Sequence, residues 1–481
     1  MSEREQEANG RASVPIAGNH ASRDGDGDGN QAYPGNSPAA AVVSPKASFI
    51  SAAYEPPIRP YDLDAKDKSG PSGLQSILDN DLYKFTMQQA VLEHYPTIVV
   101  EYRFKTRSPD RDKFSQEAFK AFKRKVEDMK DVFLTPEEKD WIEKEHSYFR
   151  PEYLDYLAKF RFRPHEQVEL SYDPATGLID MVIKGLWIET ILYAVPLLHL
   201  LSETFFEFMD TDWSYEGQAE AIHAKIRRLV DNDVYFSDFG TRRRRSYRAH
   251  EILVREMARI HRSELVKFNR HFSHLSGTSN VHLAMIYGLR PVGTVAHEWT
   301  MAISALEKEY GLEHANRAAL EKWLETYPQP EFSIALSDTF GTEPFFRDFG
   351  MDLATRYRGV RHDSGSAIRF IERVIEHYRS LGIDPSTKTI IFSDALNIDR
   401  CIQYKEYCDK YGVDPRFGIG THLTNDYRAL SDPETKSRPL NIVIKLYCVD
   451  GTNVIKLSDE PNKYMGDVTA VQRAKEVFGI E

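Results

Sequence analysis

Cysteine is scarce in this chain of 481 residues, which holds only Cys401, Cys408 and Cys448. The number is odd and no Cys-x-x-Cys pair occurs, so a disulfide framework or a structural zinc site is not expected, and a reducing compartment, the cytoplasm, fits best. Long apolar runs are also missing. Leu186 to Leu201 comes nearest to membrane-spanning length, but Glu189 and His199 interrupt it. No cationic, apolar leader opens the sequence. Basic charge is not in excess either: 62 Lys and Arg stand against 73 Asp and Glu, a formal net charge of −11. That balance speaks against general affinity for nucleic acid or membrane, so any phosphate site must be a local basic pocket.

What is present suffices for a large core, since 41% of the residues are hydrophobic and 12% aromatic. The length predicts two domains and a tail. Residues 1–70 are rich in Ser, Pro, Gly, Ala and Asp and read as a low-complexity tail. Within it Asp24-x-Asp26-x-Asp28-Gly29 imitates half of a calcium loop, but the twelfth position is Gly35 rather than Glu. Residues 71–200 read as a mixed α+β domain, joined again by 441–481. Leu78 to Leu92 has helical spacing with Asp79 as its N-cap, Ile98 to Phe104 alternates as a strand, and residues 108–165 are charged and helical. Val168 to Tyr172 and Met181 to Lys184 form a strand pair around Asp173 to Gly177, and Ile442 to Leu446 with Asn453 to Leu457 a hairpin. Residues 201–440 alternate short strands with helices, which predicts an irregular parallel α/β barrel. Its expected strands are 233–239, 291–296, 333–336, 359–361, 389–393 and 416–419.

Each of these strands runs into polar residues. They are Phe239-Gly240-Thr241-Arg242 with Arg243 to Arg245, His297-Glu298, Ser337-Asp338-Thr339, Arg361-His362-Asp363-Ser364-Gly365, Ser393-Asp394, and Gly418-Ile419-Gly420-Thr421. In a parallel barrel the C-terminal strand ends share one rim, and that rim carries the active site. Every element also has a plainer explanation. His297 could be a core histidine, the arginine run a solvated face or a nuclear-import patch, and Asp338, Asp363 and Asp394 helix caps. Glu298 does not make a zinc protease motif, because the second histidine would fall at Met301. Taken together, an aromatic beside arginines, a histidine, carboxylates and a glycine-lined turn suit a phosphorylated sugar joined to a planar aromatic acid.

From about residue 74 onward the chain resembles the nicotinate phosphoribosyltransferases, the fungal and bacterial type within the type II phosphoribosyltransferases. The resemblance is carried by Leu78-Asp-Asn-Asp-Leu-Tyr83-Lys-Phe-Thr-Met, Phe239-Gly-Thr-Arg242, Gly277-Thr-Ser279-Asn280, Gly293-Thr-Val-Ala-His297-Glu298, Gly359-Val-Arg361-x-Asp363-Ser364-Gly365 and Gly418-Ile-Gly420-Thr421. It implies transfer of a phosphoribosyl group from 5-phosphoribosyl-1-pyrophosphate to nicotinate in NAD synthesis. ATP would be a co-substrate, Mg²⁺ would accompany the phosphorylated substrates, and His297 would be transiently phosphorylated. It further implies that Phe239 and Tyr83 sandwich the pyridine, the tyrosine coming from a neighbouring subunit of a homodimer with shared sites. Arg242 and Arg361 would bind anionic groups, and Asp338, Asp363 and Asp394 would face ribose and the reacting centre. Gly418, Gly420 and Thr421 would cradle the 5-phosphate. A neutral Ser279, where nicotinamide-using relatives carry an aspartate, implies selectivity for the acid. Two positions depart from the family pattern: Ser366 stands where an acid is usual, and His362 is uncommon. The competing readings are a nicotinamide or quinolinate phosphoribosyltransferase and a catalytically silent nucleotide-binding relative.

Overall fold

Alternating burial builds the first sheet. The computed structural model describes residues 64–268, 273–460 and 463–480, so the calcium-like stretch and the rest of the chain before residue 64 lie outside the described residues. In β1 (Val99–Thr106) Val100 and Tyr102 are buried while Val99 and Arg103 are exposed, the two-residue period of a half-buried strand. β2 (Val168–Asp173) and β3 (Leu178–Leu186) form the expected hairpin, turned by Gly177 at φ +73°. The charged stretch between β1 and β2 folds as short helices with local stops. Ser115 caps Gln116–Glu127, and Thr135 with Glu138 makes a capping box on Pro136–Glu145, each cap contributing about 1 kcal/mol.

The second sheet is parallel throughout. β4 (Phe236–Asp238), β5 (Leu275–Thr278), β6 (Ile334–Leu336), β7 (Gly359–His362), β8 (Thr389–Phe392) and β9 (Asp414–Ile419) lie in the order β5-β4-β9-β8-β7-β6. Helices such as Tyr247–Phe268, Ala367–Ser380 and Ile398–Asp409 alternate with these strands. A short ribbon of β10 (Tyr427–Arg428) and β11 (Lys436–Ser437) follows. Then β12 (Ile442–Val449) returns to the first sheet and lies between β1 and β13 (Thr452–Asn453), completing the order β13-β12-β1-β3-β2. The architecture is thus mixed α/β, a parallel sheet beside an antiparallel one that the C-terminal strands complete.

Several expected boundaries shift, each for a local reason. The first helix is Leu82–His94 with Asp81 at its N-cap, because Asp79 and Asn80 are engaged elsewhere in the interior. The strand expected at 291–296 is not one. Pro291 makes a single isolated bridge to Thr278, and Val295 packs with Ile334 and Leu336 around a small cavity. A proline cannot donate to a ladder, so this side of the barrel is filled by packing rather than by a strand. The strand beside it is β5, unmarked in the sequence because it contains Ser276 and Gly277. Gly277 sits at φ +147°, and a Cβ there would stand 2.0 Å from the Arg290 carbonyl oxygen. The hairpin arm expected at 453–457 stops after β13, since Ile455 and Leu457 bury themselves with Phe340 and Phe478 instead. The expected seam at residue 200 falls inside the helix Ala194–Phe208. The stretch Trp187–Phe208 is long and apolar enough to cross a membrane, yet 89% of its most apolar part is buried in the fold, as in a core helix.

Candidate active site

Strand ends converge on one imidazole. His297 opens the helix His297–Leu306, and its Nε2 lies 2.7 Å from Asp338 Oδ1, beyond β6, and 3.8 Å from Asp363 Oδ2, beyond β7. Burial pushes this histidine below the ordinary value of 6.5, and the Lys456 ammonium pushes the same way. Burial alone would raise the Asp338 carboxyl, but His297 and Lys456 override it and hold the group well below the usual carboxylate range. An ionised carboxylate can only accept. The Nε2–H of neutral His297 therefore donates to Asp338, which leaves the lone pair on Nδ1. With 18% of its side chain exposed, the ring is a directed, reachable nucleophile.

Arg361 is fixed beside it. Its Nε donates to Ser393 Oγ at 2.8 Å, one terminal nitrogen donates to Thr294 Oγ1 at 2.7 Å and the Val295 carbonyl at 3.1 Å, and the other lies 3.2 Å from Asp363 Oδ1. Burial would raise the Asp363 carboxyl, but Arg361 and then His297 hold it down at about 2. Asp394 differs: burial raises it, although Lys463 Nζ is 3.1 Å from both its oxygens. None of the three aspartates caps a helix. Gly341, Ser366 and Asn397 occupy the N-cap positions after them. Ser366, the departure from the family pattern, therefore has a structural use, its Oγ accepting from the Arg369 N–H. His362 is buried and lies against Phe370 and Phe392.

His297, Asp338 and Asp363 bring ligand atoms within 4.8 Å of one another, close enough for a divalent cation. Asp338 does not fit that use. Besides His297 it accepts from Ser364 Oγ at 2.6 Å and from Lys456 Nζ at 3.1 Å, so a cation would be set against an ammonium. This arrangement holds an imidazole rather than a resident metal.

A second group gathers around Phe239. Its N–H donates to the Ile419 carbonyl at 2.8 Å, and a Cβ on Gly418 would stand 2.2 Å from the ring. The ring therefore lies on the Gly418 backbone, an approach that glycine alone permits. Gly420 and Thr421 form the turn after β9, which is laced to the turn after β4. Thr424 Oγ1 donates to the Gly240 carbonyl at 2.9 Å and Asn425 Nδ2 to the Arg243 carbonyl at 2.8 Å. Tyr83 lies in the first turn of the helix Leu82–His94. Burial raises its hydroxyl above the ordinary value, and the charges of its own Arg242 and Arg361 act on it in the opposite sense.

Ser279 requires a correction. Its hydroxyl donates to Asp81 Oδ1 at 2.7 Å, and Arg242 Nε lies 3.9 Å from the other oxygen of that carboxylate. The serine proton is thus committed to Asp81, and a carboxylate stands beside position 279 after all. Arg242, 46% exposed, is the cation that reaches outward there.

The arginine run divides by burial. Arg242 and Arg243 lie toward the site, while Arg244 and Arg245 are fully buried, which rules out the solvated-face and import-patch readings for the run as a whole. Arg244 forks onto both Asp79 oxygens at 2.7 and 2.8 Å and reaches Glu203 at 2.7 Å. Arg245 lies 3.7 Å from the Phe206 ring centre and donates to Ser437 Oγ at 2.7 Å. Two further site residues escaped sequence reasoning, Lys456 and Lys445. Lys456 is embedded in the buried run Val454–Leu457, and a lysine inside an apolar run was the available signal. Lys445 on β12 is pushed down to about 7 by burial, with Lys456 and Arg107 adding to the effect and Asp363 opposing it. No local motif marks it, since β12 comes from the far end of the chain.

Known proteins match this chain over most of its length. The model described as the nicotinate phosphoribosyltransferase (NAPRTase) family matches residues 234–481, and that of the family's N-terminal domain matches residues 78–202. The nicotinate phosphoribosyltransferase of Methanosarcina mazei is 43% identical, over 84% of this chain and 98% of its own. That of Saccharomyces cerevisiae is 37% identical, over 84% of this chain and 95% of its own. A crystal structure of nicotinate phosphoribosyltransferase from Porphyromonas gingivalis superposes with a TM-score of 0.74 at 35% identity, covering 85% of this chain and all of that one. With its sequence and its fold in agreement with these proteins, the chain belongs to the nicotinate phosphoribosyltransferase family.

Proposed function

We propose that this chain joins nicotinate to 5-phosphoribosyl-1-pyrophosphate, giving nicotinate mononucleotide and pyrophosphate for NAD synthesis, and that ATP hydrolysis drives the transfer through a phosphate carried on His297. The observation that most supports this is the imidazole itself, kept neutral and aimed by Asp338 with Nδ1 open. In the first step the Nδ1 lone pair attacks the γ-phosphorus of ATP, the bond to the bridging oxygen breaks and ADP leaves. The phosphorylated ring then carries about two negative charges, by analogy with other phosphorylated side chains, and these draw in the nearby guanidinium groups. In the second step the bond from C1 of the ribose to pyrophosphate breaks as the pyridine nitrogen attacks. The Asp363 carboxylate, ionised down to about 2, stabilises the cation that develops at C1. Lys445, Lys456 and Arg107 receive the departing pyrophosphate, and Mg²⁺ arrives with the phosphorylated substrates as their counter-ion. Water finally hydrolyses the phosphohistidine, releasing phosphate and restoring the ring.

Selectivity for the acid is assigned to Arg242 rather than to Ser279. A guanidinium fork matches a carboxylate in two parallel hydrogen bonds. Phe239 and Tyr83 form the ring sandwich of this reading, the tyrosine coming from the neighbouring subunit of a homodimer. The cysteines Cys401, Cys408 and Cys448 are all free thiols, which supports a reducing compartment, and we place the activity in the cytoplasm. The test is an assay of mononucleotide and pyrophosphate formation with nicotinate, nicotinamide and quinolinate in competition, with and without ATP. Preferential use of nicotinate, accelerated by ATP, is expected. Preferential use of nicotinamide or quinolinate would overturn the assignment.

A further inference from the structure

Asp238 closes β4 immediately before Phe239 and takes no part in the chemistry above, yet it is fully buried and its carboxylate meets three donors from three elements. Oδ1 accepts from the Gly240 N–H at 2.8 Å. Oδ2 accepts from the Thr278 hydroxyl, at the end of β5, at 2.7 Å, and from Nε2 of His250, on the helix Tyr247–Phe268, at 2.6 Å. Burial alone would raise this carboxyl, but His250, Thr278 and the Gly240 N–H hold it below its ordinary value. The bond from Oδ1 spans Phe239 as an Asx-turn. The peptide N–H groups on either side of the Phe239 α-carbon are thereby committed, its own to the Ile419 carbonyl and the next to Asp238. The Asp238 carbonyl also accepts from the Ser279 N–H at 2.8 Å, and Thr278 Oγ1 from the Asn280 N–H at 3.2 Å. One residue thus fixes both the turn that carries Phe239 and Arg242 and the turn that carries Ser279.

A buried carboxylate bonded to an imidazole is a poor device for stability alone. Desolvation cancels much of the attraction, and apolar residues of similar volume often serve as well or better. Here the imidazole also carries an unmet cost, since His250 Nδ1 is buried with no hydrogen-bond partner among the described residues. What the arrangement supplies is direction. We propose that Asp238, held by His250 and Thr278, is a positioning residue that fixes the Phe239 ring for nicotinate and keeps its turn in register with that of Ser279. Neither Asp238 nor His250 touches a substrate. His297, Arg361 and Asp363 hang on other segments, so disturbing the pair weakens the contact with the pyridine and spares the phosphorylation step. The proposal rests on the function proposed above.

The experiment compares wild type with His250→Leu, His250→Gln and Thr278→Val. Urea midpoint, KM for nicotinate, KM for 5-phosphoribosyl-1-pyrophosphate and the fold stimulation by ATP are measured for each. His250→Leu removes one donor and should raise KM for nicotinate about fivefold, the loss of one aromatic contact, while the other KM and the ATP stimulation stay within about twofold. His250→Gln offers an amide N–H in place of Nε2–H and should restore most of the wild-type KM for nicotinate, whatever its midpoint. Thr278→Val is close to isosteric and removes only a hydroxyl, so it should fold, and raise the same constant, even where His250→Leu folds poorly. A purely structural pair would lower the midpoint and the active fraction but leave KM for nicotinate in place. Wild-type KM for nicotinate in both His250→Leu and Thr278→Val, an equal rise in both KM values, or a His250→Gln no better than His250→Leu would overturn the positioning role. A wild type that makes no mononucleotide would overturn the functional reading, and this inference with it.

Discussion

Arg244 and Arg361 both hold aspartates near strand ends, and both come from motifs of the same outward look, yet they do different work. Arg244 is sealed among Asp79, Glu203 and His199, all fully buried or nearly so. Arg361 is spread over Ser393, Thr294, Val295 and Asp363, with Asp363 23% exposed and His297 alongside. The first cluster joins the Asp79–Asp81 segment to the arginine run and, through Asn280 Nδ2 at 2.8 Å from Asp79, to the loop after β5. It shapes the pocket without touching its contents. The second cluster faces the pocket. Motif residues thus divide into scaffold and chemistry, and access to solvent is what separates them.

The sharpest way to break the comparison is to remove one arginine from each cluster. Arg244→Met leaves two buried carboxylates without their counter-charge and should cost about 3–5 kcal/mol in urea denaturation. Arg361→Lys should leave the urea midpoint in place while kcat/KM falls about 10²-fold, because a lysine cannot reproduce the planar fork. Equal losses of stability in the two variants would erase the distinction. Next in size is Gly418→Ala. The added methyl displaces the Phe239 ring and should weaken nicotinate binding by about 1 kcal/mol, the size of a stacking contact, read as a several-fold rise in KM without loss of ATP stimulation.

The smallest effect concerns pH. Lys445, held at about 7 by burial, is charged below that pH and neutral above it. Affinity for 5-phosphoribosyl-1-pyrophosphate should therefore weaken as pH rises through about 7, and Lys445→Met should flatten that dependence. His297 behaves oppositely on the acid side. Its lowered value keeps the ring neutral until the pH falls below the ordinary 6.5, so ATP stimulation should persist in mild acid and vanish only below it.

Much of this was legible in the residues because the chemistry is local to strand ends. His297, Asp338, Asp363 and Arg361 stand where short β-branched runs give way to polar residues, and the fold brings those ends together. What escaped is what arrives from a distance. Lys445 and Lys456 lie on segments that follow the last parallel strand by more than twenty residues, and nothing near them shows where they land. The segment 291–296 misled for a different reason. Its β-branched composition suits a strand, but Pro291 and the short β6 leave no ladder for it to join. Ser279 misled because its partner Asp81 lies almost two hundred residues earlier, and a hydroxyl looks uncommitted until that partner is seen. Arg244 and Arg245 could not be told from Arg242 and Arg243 by composition, since only the fold shows which of four neighbouring guanidinium groups point inward.

The central claim is that His297, held by Asp338, carries phosphate between ATP and the transfer step. Incubating the protein with γ-labelled ATP, in the absence of the sugar substrate, and measuring acid-labile phosphate on the chain tests it most directly. The account predicts stoichiometric labelling of wild type, little in Asp338→Asn and none in His297→Ala, with His297→Ala retaining a slow transfer that ATP no longer accelerates. Undiminished labelling or ATP stimulation in His297→Ala would contradict it.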